Sequence, residues 1–213
     1  MCFLGIMSPH PGSHRRVPVI GITGQIGAGK SLVASLFAAW GGVVISGDQI
    51  GHEVVERSLR LQRQLQAAFG EGILRGRSID RGRLAERAFA SPETTRQLND
   101  LIHPLLLREL NRRIRHASRC PGVKAVVVDA ALLAEWGRAS VRWDKLVGVW
   151  APLHLRRARL QRRGWSERRI RDRSRRQLSW NKRRLLCDCI VKNDAARAVL
   201  RERARFCWEK ILS

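Results

Sequence analysis

The residues Gly24-Gln25-Ile26-Gly27-Ala28-Gly29-Lys30-Ser31 fit the pattern G-x-x-x-x-G-K-S, with Leu32 following. Glycines lack a Cβ, so backbone N–H groups can turn inward and reach phosphate oxygens without a clash. A helix that opens at this point adds its free N–H groups and its dipole to the same anion. Lys30 then reaches the β- and γ-phosphates, and the Ser31 hydroxyl is placed to ligate Mg²⁺. The stretch predicts a bound nucleoside triphosphate and leaves the phosphoryl acceptor open. Two carboxylates are placed to serve the same site. Asp48 falls just after a strand-like run; it can take the proton of an attacking hydroxyl, or cap the helix that starts near Gln49. Asp129 ends another such run; it can hold Mg²⁺, or be a buried hydrogen-bonded aspartate.

These side chains need a scaffold that brings them to one edge. Val17–Thr23 is an apolar run of the kind a buried parallel strand shows. Val43–Ile45, Ala125–Asp129, Leu146–Trp150 and Ile190–Val191 read as four more buried strands. Ser31–Trp40 reads as an apolar helix stopped by Gly41-Gly42. Strands alternating with helices predict an α/β fold, a five-stranded parallel sheet with helices on both faces. Such sheets bind ligands at the carboxyl ends of their strands, where the cradle, Asp48 and Asp129 all fall. The core begins at residue 17, after a loose extension at 1–16. It comprises 17–58 and 119–213, interrupted by a helical insertion at about 59–118. That insertion is broken at Gly70–Asp80 and again at Ser91-Pro92, where Ser91 is the expected cap of a further helix.

The chain has 213 residues, 44% hydrophobic and 28% charged, which suits one domain with a packed core and excludes a disordered chain. No apolar run reaches the length of a membrane span, and the Cys2–Met7 stretch lacks the basic start of a secretory signal. Five cysteines in a chain of this size read as reduced thiols, so a cytoplasmic location is expected. Cys187-Asp-Cys189 is too closely spaced for a zinc pair. His10 and His14 sit in the loose extension. The net charge is +23, yet only six of the 41 basic residues are lysine and tyrosine is absent. That bias fits compositional drift, a polyanionic partner, or a phosphate-rich small ligand that arginines grip bidentately. Residues 156–184 alone carry fourteen Lys and Arg against Glu167 and Asp172, a balance of +12. The segment is either a solvated helix face or a mobile lid that closes over phosphates. Of the seven tryptophans, Trp165 and Trp180 lie in this arm and could stack on a base.

The combination resembles the dephospho-coenzyme A kinase family. The resemblance runs through the cradle, Ile45-Ser-Gly-Asp48, Ile79-Asp80-Arg81, Leu98-Asn-Asp-Leu-Ile-His103-Pro104, Val127-Val-Asp129-Ala-Ala-Leu132-Leu133-Ala-Glu135, and the arm residues Arg162, Arg173, Gln177, Lys182, Asp188 and Asn193. It covers Pro18 to about Asn193. His103-Pro104, Leu132-Leu133 and the Arg173 to Gln177 spacing are its most specific parts. It implies a three-layer P-loop kinase fold with the arm as a lid. It implies transfer of the γ-phosphoryl of ATP to the ribose 3′-hydroxyl of dephospho-coenzyme A, with Mg²⁺ held by Ser31 and Asp129. By the same resemblance, Gly24 to Leu32 cradle ATP and Lys30 stabilises the transferring group. Asp48 is the base, Arg162 and Arg173 neutralise ATP, and His52, His103, Leu132 and Leu133 line the acceptor side with Asp48.

The chain departs from the family pattern at several positions. Leu32 replaces a usual Thr, Ser46 a usual Asp and His52 a usual Arg. Ala131 and Ala134 replace a usual Pro and Phe. Ala158 replaces a usual lid Arg, though Arg157 and Arg159 flank it. These changes bear more on the acceptor than on ATP. Two further functions share some of these parts: a small-molecule kinase with a nucleoside or sugar acceptor, and a non-catalytic P-loop module that binds nucleic acid through the arginine arm. The favoured reading expects small-molecule substrates only, no nucleic acid or membrane partner, and a monomer.

Overall fold

A computed structural model describes residues 16–76, 78–175 and 177–213. Of the expected extension only Arg16 is described; His10 and His14 lie outside. In chain order the elements are β1 (Val19–Thr23), α1 (Lys30–Ala39), β2 (Gly42–Ser46), α2 (Gly47–Arg57), α3 (Leu59–Phe69), β3 (Leu74–Arg75), β4 (Ser78–Ile79), α4 (Arg81–Ala88) and α5 (Pro92–Ala117). Then follow β5 (Ala125–Asp129), α6 (Leu133–Ser140), β6 (Lys145–Trp150), α7 (Leu153–Gln161), α8 (Glu167–Arg175), α9 (Trp180–Arg184), β7 (Cys189–Lys192) and α10 (Arg197–Leu212).

The main sheet has the order β2-β5-β1-β6-β7 and is parallel throughout. The chain leaves β1 toward one edge and leaves β5 toward the other. The crevice between these directions opens at the carboxyl ends of β1 and β5, as the position of the cradle requires. Alternate residues of each strand feed opposite layers. Val126 and Val128 pack with Leu110, Ile114 and Leu133 on one face. Ile20, Ile22 and Val127 pack with Phe37 and Trp208 on the other. The expectation that every strand is buried fails at both sheet edges, β2 and β7, where Val43 is 38%, Val44 37% and Ile190 43% exposed. An apolar run marks a strand; only the crossovers decide whether it has one neighbour or two.

The insertion has its own apolar cluster, including Leu61, Leu65, Phe69, Ile73, Leu84 and Leu98. Its break at Gly70–Asp80 is ordered by a short 3₁₀ turn and by the β3–β4 hairpin, where Leu74 pairs with Ile79. The helix α5 runs 26 residues. Leu98, in its N-terminal part, belongs to the insertion cluster, while Leu106, Leu110 and Ile114 lie in the sheet-side core. One helix therefore joins both bodies. Ser91 caps it, with Thr94 returning the bond and Pro92 in the first turn, as the sequence predicts. Arg113 ties α5 to α2, donating to Glu53 at 2.5 Å and to Glu109 at 2.7 Å. This Arg113 bond holds the Glu53 carboxyl below the usual carboxylate range. Among the described residues no helix is long and apolar enough to cross a membrane.

Candidate active site

The loop between β1 and α1 has the shape that its glycines allow. Gly27 and Gly29 hold φ of 77° and 95°. Both angles lie in the left-handed region, which costs a residue with a Cβ about 1 kcal/mol or more. A Cβ at Gly29 would also collide with the Asn193 amide. Gly29 is the N-cap of α1, so Lys30 and Ser31 open the helix as the motif requires.

The carboxylates converge here. Asp129 ends β5 in register with Ile22 of β1 and Ser46 of β2. The Ser31 hydroxyl donates to Asp129 Oδ2 at 2.8 Å. Burial raises the Asp129 pKa; the charge of Lys30 and the Ser31 hydrogen bond pull it down, and the charge of Asp48 adds to the rise. Lys30, Ser31 and Asp48 thus all act on one carboxylate. A hydroxyl beside a carboxylate is an oxygen donor pair suited to Mg²⁺, which commonly takes few protein ligands and completes its shell with phosphate and water. Among the described residues no group of three or more His, Cys, Asp or Glu could hold a metal ion.

The structure decides one alternative for Asp48. Ser46 is the N-cap of α2, its hydroxyl accepting from Gln49 N at 3.2 Å. Asp48 lies inside the first turn, exposed, with no capping duty. Ser46, noted above as a lost carboxylate, therefore serves as the helix cap beside Asp48.

The acceptor-side residues are placed unequally. His52 is exposed on α2. His103, on α5, meets Trp136 edge to face with ring centroids 5.6 Å apart, and burial lowers its pKa so that it stays neutral at pH 7. Leu132 is half-buried at the start of α6. Leu133 differs from expectation: it is fully buried in the sheet-side core, packed so closely on Gly21 that a Cβ there would come within 2.5 Å of it. Its side chain serves the core and does not line an open acceptor surface. In the arm, Arg162 is exposed at the end of α7. Arg173, on α8, holds its guanidinium 4.7 Å from the ring of Phe89, at the end of α4. The arm thus touches the insertion. Trp165 is stacked against Arg169 at 3.8 Å, and Trp180 lies near Trp150.

The arm is not one solvated face. Arg156 is 8% exposed and Arg183 fully buried. Arg183 binds Thr23 Oγ1, the Ala131 carbonyl at 3.3 Å, and Glu135 Oε1 at 2.6 Å. Glu135 also accepts from Leu178 N at 3.1 Å. This pair fastens α9 beneath the residue that precedes the cradle. Gln177 Oε1 accepts from Ile26 N at 2.8 Å, so the arm also grips the cradle directly. Sequence reasoning gave no role to Arg156 or Arg183, and offered Arg159 only as a stand-in for the lid arginine that Ala158 replaces. They stand among fourteen cations of one segment, and no spacing rule separates a buried arginine from its solvated neighbours.

Comparison with known proteins agrees with this geometry. The sequence profile described as "Dephospho-CoA kinase" matches residues 18–198. A dephospho-CoA kinase of Corynebacterium diphtheriae is 38% identical over 90% of this chain and 96% of its own length. One of Mycobacterium leprae is 39% identical over 89% of this chain; it is longer, and the match spans 46% of it. Among solved structures, TT1252 of Thermus thermophilus superposes with a TM-score of 0.78 at 30% identity, over 93% of this chain and 100% of that one. With the profile match spanning the whole sheet and the insertion, and a relative 38% identical that is matched over 96% of its length, the chain belongs to the dephospho-CoA kinase family.

Proposed function

We propose that this protein transfers the γ-phosphoryl group of ATP to the ribose 3′-hydroxyl of dephospho-coenzyme A, giving coenzyme A and ADP, the last step of coenzyme A biosynthesis. The observation that carries the reading is the hydrogen bond of Ser31 to the Asp129 carboxylate at the carboxyl edge of the sheet, with the charges of Lys30 and Asp48 acting on the same group. In that arrangement the loop amides and Lys30 hold the donor phosphates. Asp48, exposed and free of capping, accepts the proton of the 3′-hydroxyl. As the new O–P bond forms, the bond to the β-phosphate oxygen breaks and ADP departs. Ser31 and Asp129 would hold Mg²⁺, which supplies charge neutralisation on the phosphates. Phosphoryl transfer depends on alignment and charge stabilisation more than on covalent help. Arg162 and Arg173 complete the positive surround when the arm closes and excludes water. His52, His103 and Leu132 stand on the acceptor side. We place the enzyme in the cytoplasm as a monomer that acts on small molecules, with no nucleic-acid or membrane partner. The test is ADP release with ATP, Mg²⁺ and dephospho-coenzyme A, run beside nucleosides, sugars and shikimate-like alcohols. Turnover specific to dephospho-coenzyme A is expected; faster turnover with another acceptor, or none with any, would overturn the reading.

A further inference from the structure

Three consecutive carbonyls of the phosphate loop are each taken by a side chain from the distant second half of the chain. Asn193 Nδ2 donates to Ala28 O at 2.8 Å. Arg159 Nη1 donates to Gly27 O at 3.4 Å, and Arg156 Nη1 to Ile26 O at 3.5 Å. A planar trans peptide holds its N–H opposite its C=O. Fixing these carbonyls on one side therefore aims the N–H groups of Gly27, Ala28 and Gly29 to the other. Ala28 N is used inside the loop, donating to Gln25 O at 3.0 Å. By that peptide geometry the N–H groups of Gly27 and Gly29 face away from the bracket, on the side where a phosphate would bind.

The bracket is itself held. Arg159 Nη2 donates to Asn193 O at 3.0 Å and to Asn193 Oδ1 at 3.2 Å. Arg156 Nε donates to Ala151 O at 3.1 Å. Asn193 N donates to Trp150 O at 2.7 Å, which anchors the residue to the end of β6. Asn193 and Arg156 are 5% and 8% exposed, so neither can reach a nucleotide from the solvent side. The loop needs such support because glycines at positions 27 and 29 give it little conformational preference of its own. A loop ordered only on binding would lose affinity to that ordering.

We propose that Asn193, Arg159 and Arg156 are positioning residues that hold the loop in its phosphate-binding shape before nucleotide arrives. The proposal rests on the reading that this loop takes nucleotide phosphates. It also gives a function to the arginine that flanks Ala158: Arg159 works on the loop from behind, by position and by charge, without contact with the substrate.

The test uses the full chain with Asn193→Ala, Asn193→Asp, Arg159→Leu and Arg159→Lys. Three quantities are read: ADP affinity by calorimetry, initial rates against each substrate, and amide exchange at residues 26–31 without ligand. Asn193→Ala and Arg159→Leu are expected to weaken ADP binding about tenfold, the scale of one lost hydrogen bond. KM for ATP should rise alike, with KM for the acceptor unchanged, and exchange at 26–31 should quicken. Arg159→Lys, which keeps a donor and the charge, should recover part of the loss. Asn193→Asp keeps its partner Arg159 and should keep the melting temperature, yet it turns a carboxylate toward Ala28 O and should weaken ADP at least as much as Asn193→Ala. Folded variants with wild-type ADP affinity and unchanged exchange at 26–31 would overturn the proposal. So would losses that raise both KM values equally in step with melting temperature, since that marks general damage. A wild-type protein that binds no ADP would instead overturn the underlying reading, and the bracket's purpose with it.

Discussion

Asp48 and Asp129 are both carboxylates at strand ends, but their surroundings separate them. Asp48 is exposed and Ser46 does the capping beside it. Replacing Asp48 by Asn leaves the helix start intact and removes only the proton acceptor. Turnover is expected to fall about 10²–10⁴-fold while ADP affinity stays within a factor of about two, measured by steady-state rates and calorimetry. A near wild-type rate would show that the hydroxyl needs no base here. Asp129 is half-buried, and its partial burial lifts its pKa. A carboxyl whose folded pKa lies above its unfolded value contributes stability at low pH and loses it as pH rises through the folded value. At neutral pH its ionised form is therefore a cost that the fold bears. Asp129→Asn keeps an acceptor for the Ser31 hydroxyl and removes that cost. Its melting temperature without ligand should exceed wild type at pH 7, with the gap closing in acid, while turnover falls about 100-fold or more. A lower melting temperature at pH 7 would mean that the attraction to Lys30 outweighs burial.

Among the elements, α5 and α6 decide what the acceptor side can be. The continuous helix α5 carries His103 and also forms part of the sheet-side core through Leu106, Leu110 and Ile114. The placement of His103 is thus as rigid as the core. Leu133 begins α6 and is fully buried against Gly21 and its neighbours. Leu133→Ala removes three carbon atoms from a packed site. It should cost about 2–5 kcal/mol of stability in chemical denaturation, with KM for dephospho-coenzyme A little changed in whatever fraction remains folded. A large rise in that KM with unaltered stability would return Leu133 to the acceptor surface. The adjacent residue, Leu132, is only half-buried and is the better candidate for that contact.

At the scale of the molecule, the basic arm is fastened at both ends and at Gln177, with the stretch around Arg162 and α8 lying between these points. Arg156 and Arg159 hold its start against the cradle, and Arg183 holds its end beneath Thr23. The middle, near Arg162 and α8, lies over the insertion through Arg173 and Phe89. Like charges crowd this stretch and repel until phosphates arrive. Amide exchange in the free protein should therefore be slow across Leu153–Leu160 and Trp180–Arg184 and faster across 162–175. ATP with dephospho-coenzyme A should slow the middle, and Arg173→Ala should reduce that protection together with turnover. Equal protection along the whole arm without ligand would make it a static part of the fold. Protection by short DNA as strong as by the substrates would favour a nucleic-acid function.

What the sequence determined by itself was local and periodic. The cradle motif needs contiguous residues at fixed spacing, so Gly24 to Ser31 could be read as a phosphate loop before any fold was known. Five apolar runs became the five strands of the main sheet, and Ser91-Pro92 became a capped helix start, because strand formation and capping follow from neighbours in the chain. The two-residue strands of the β3–β4 hairpin are too short to show a period, and the segment read as a simple break. The tertiary structure decided whatever depends on partners far apart in sequence. It set β2 at the sheet edge, freed Asp48 by giving its cap to Ser46, and buried Leu133. It also chose Arg156, Arg159 and Arg183 from fourteen cations as buried or half-buried fastenings. A guanidinium is buried only where carbonyls and carboxylates from other elements meet it, and those partners lie 34 to 160 residues away. No local pattern carries that information, since the energy of the contact resides in the folded neighbourhood and not in the segment that supplies the arginine.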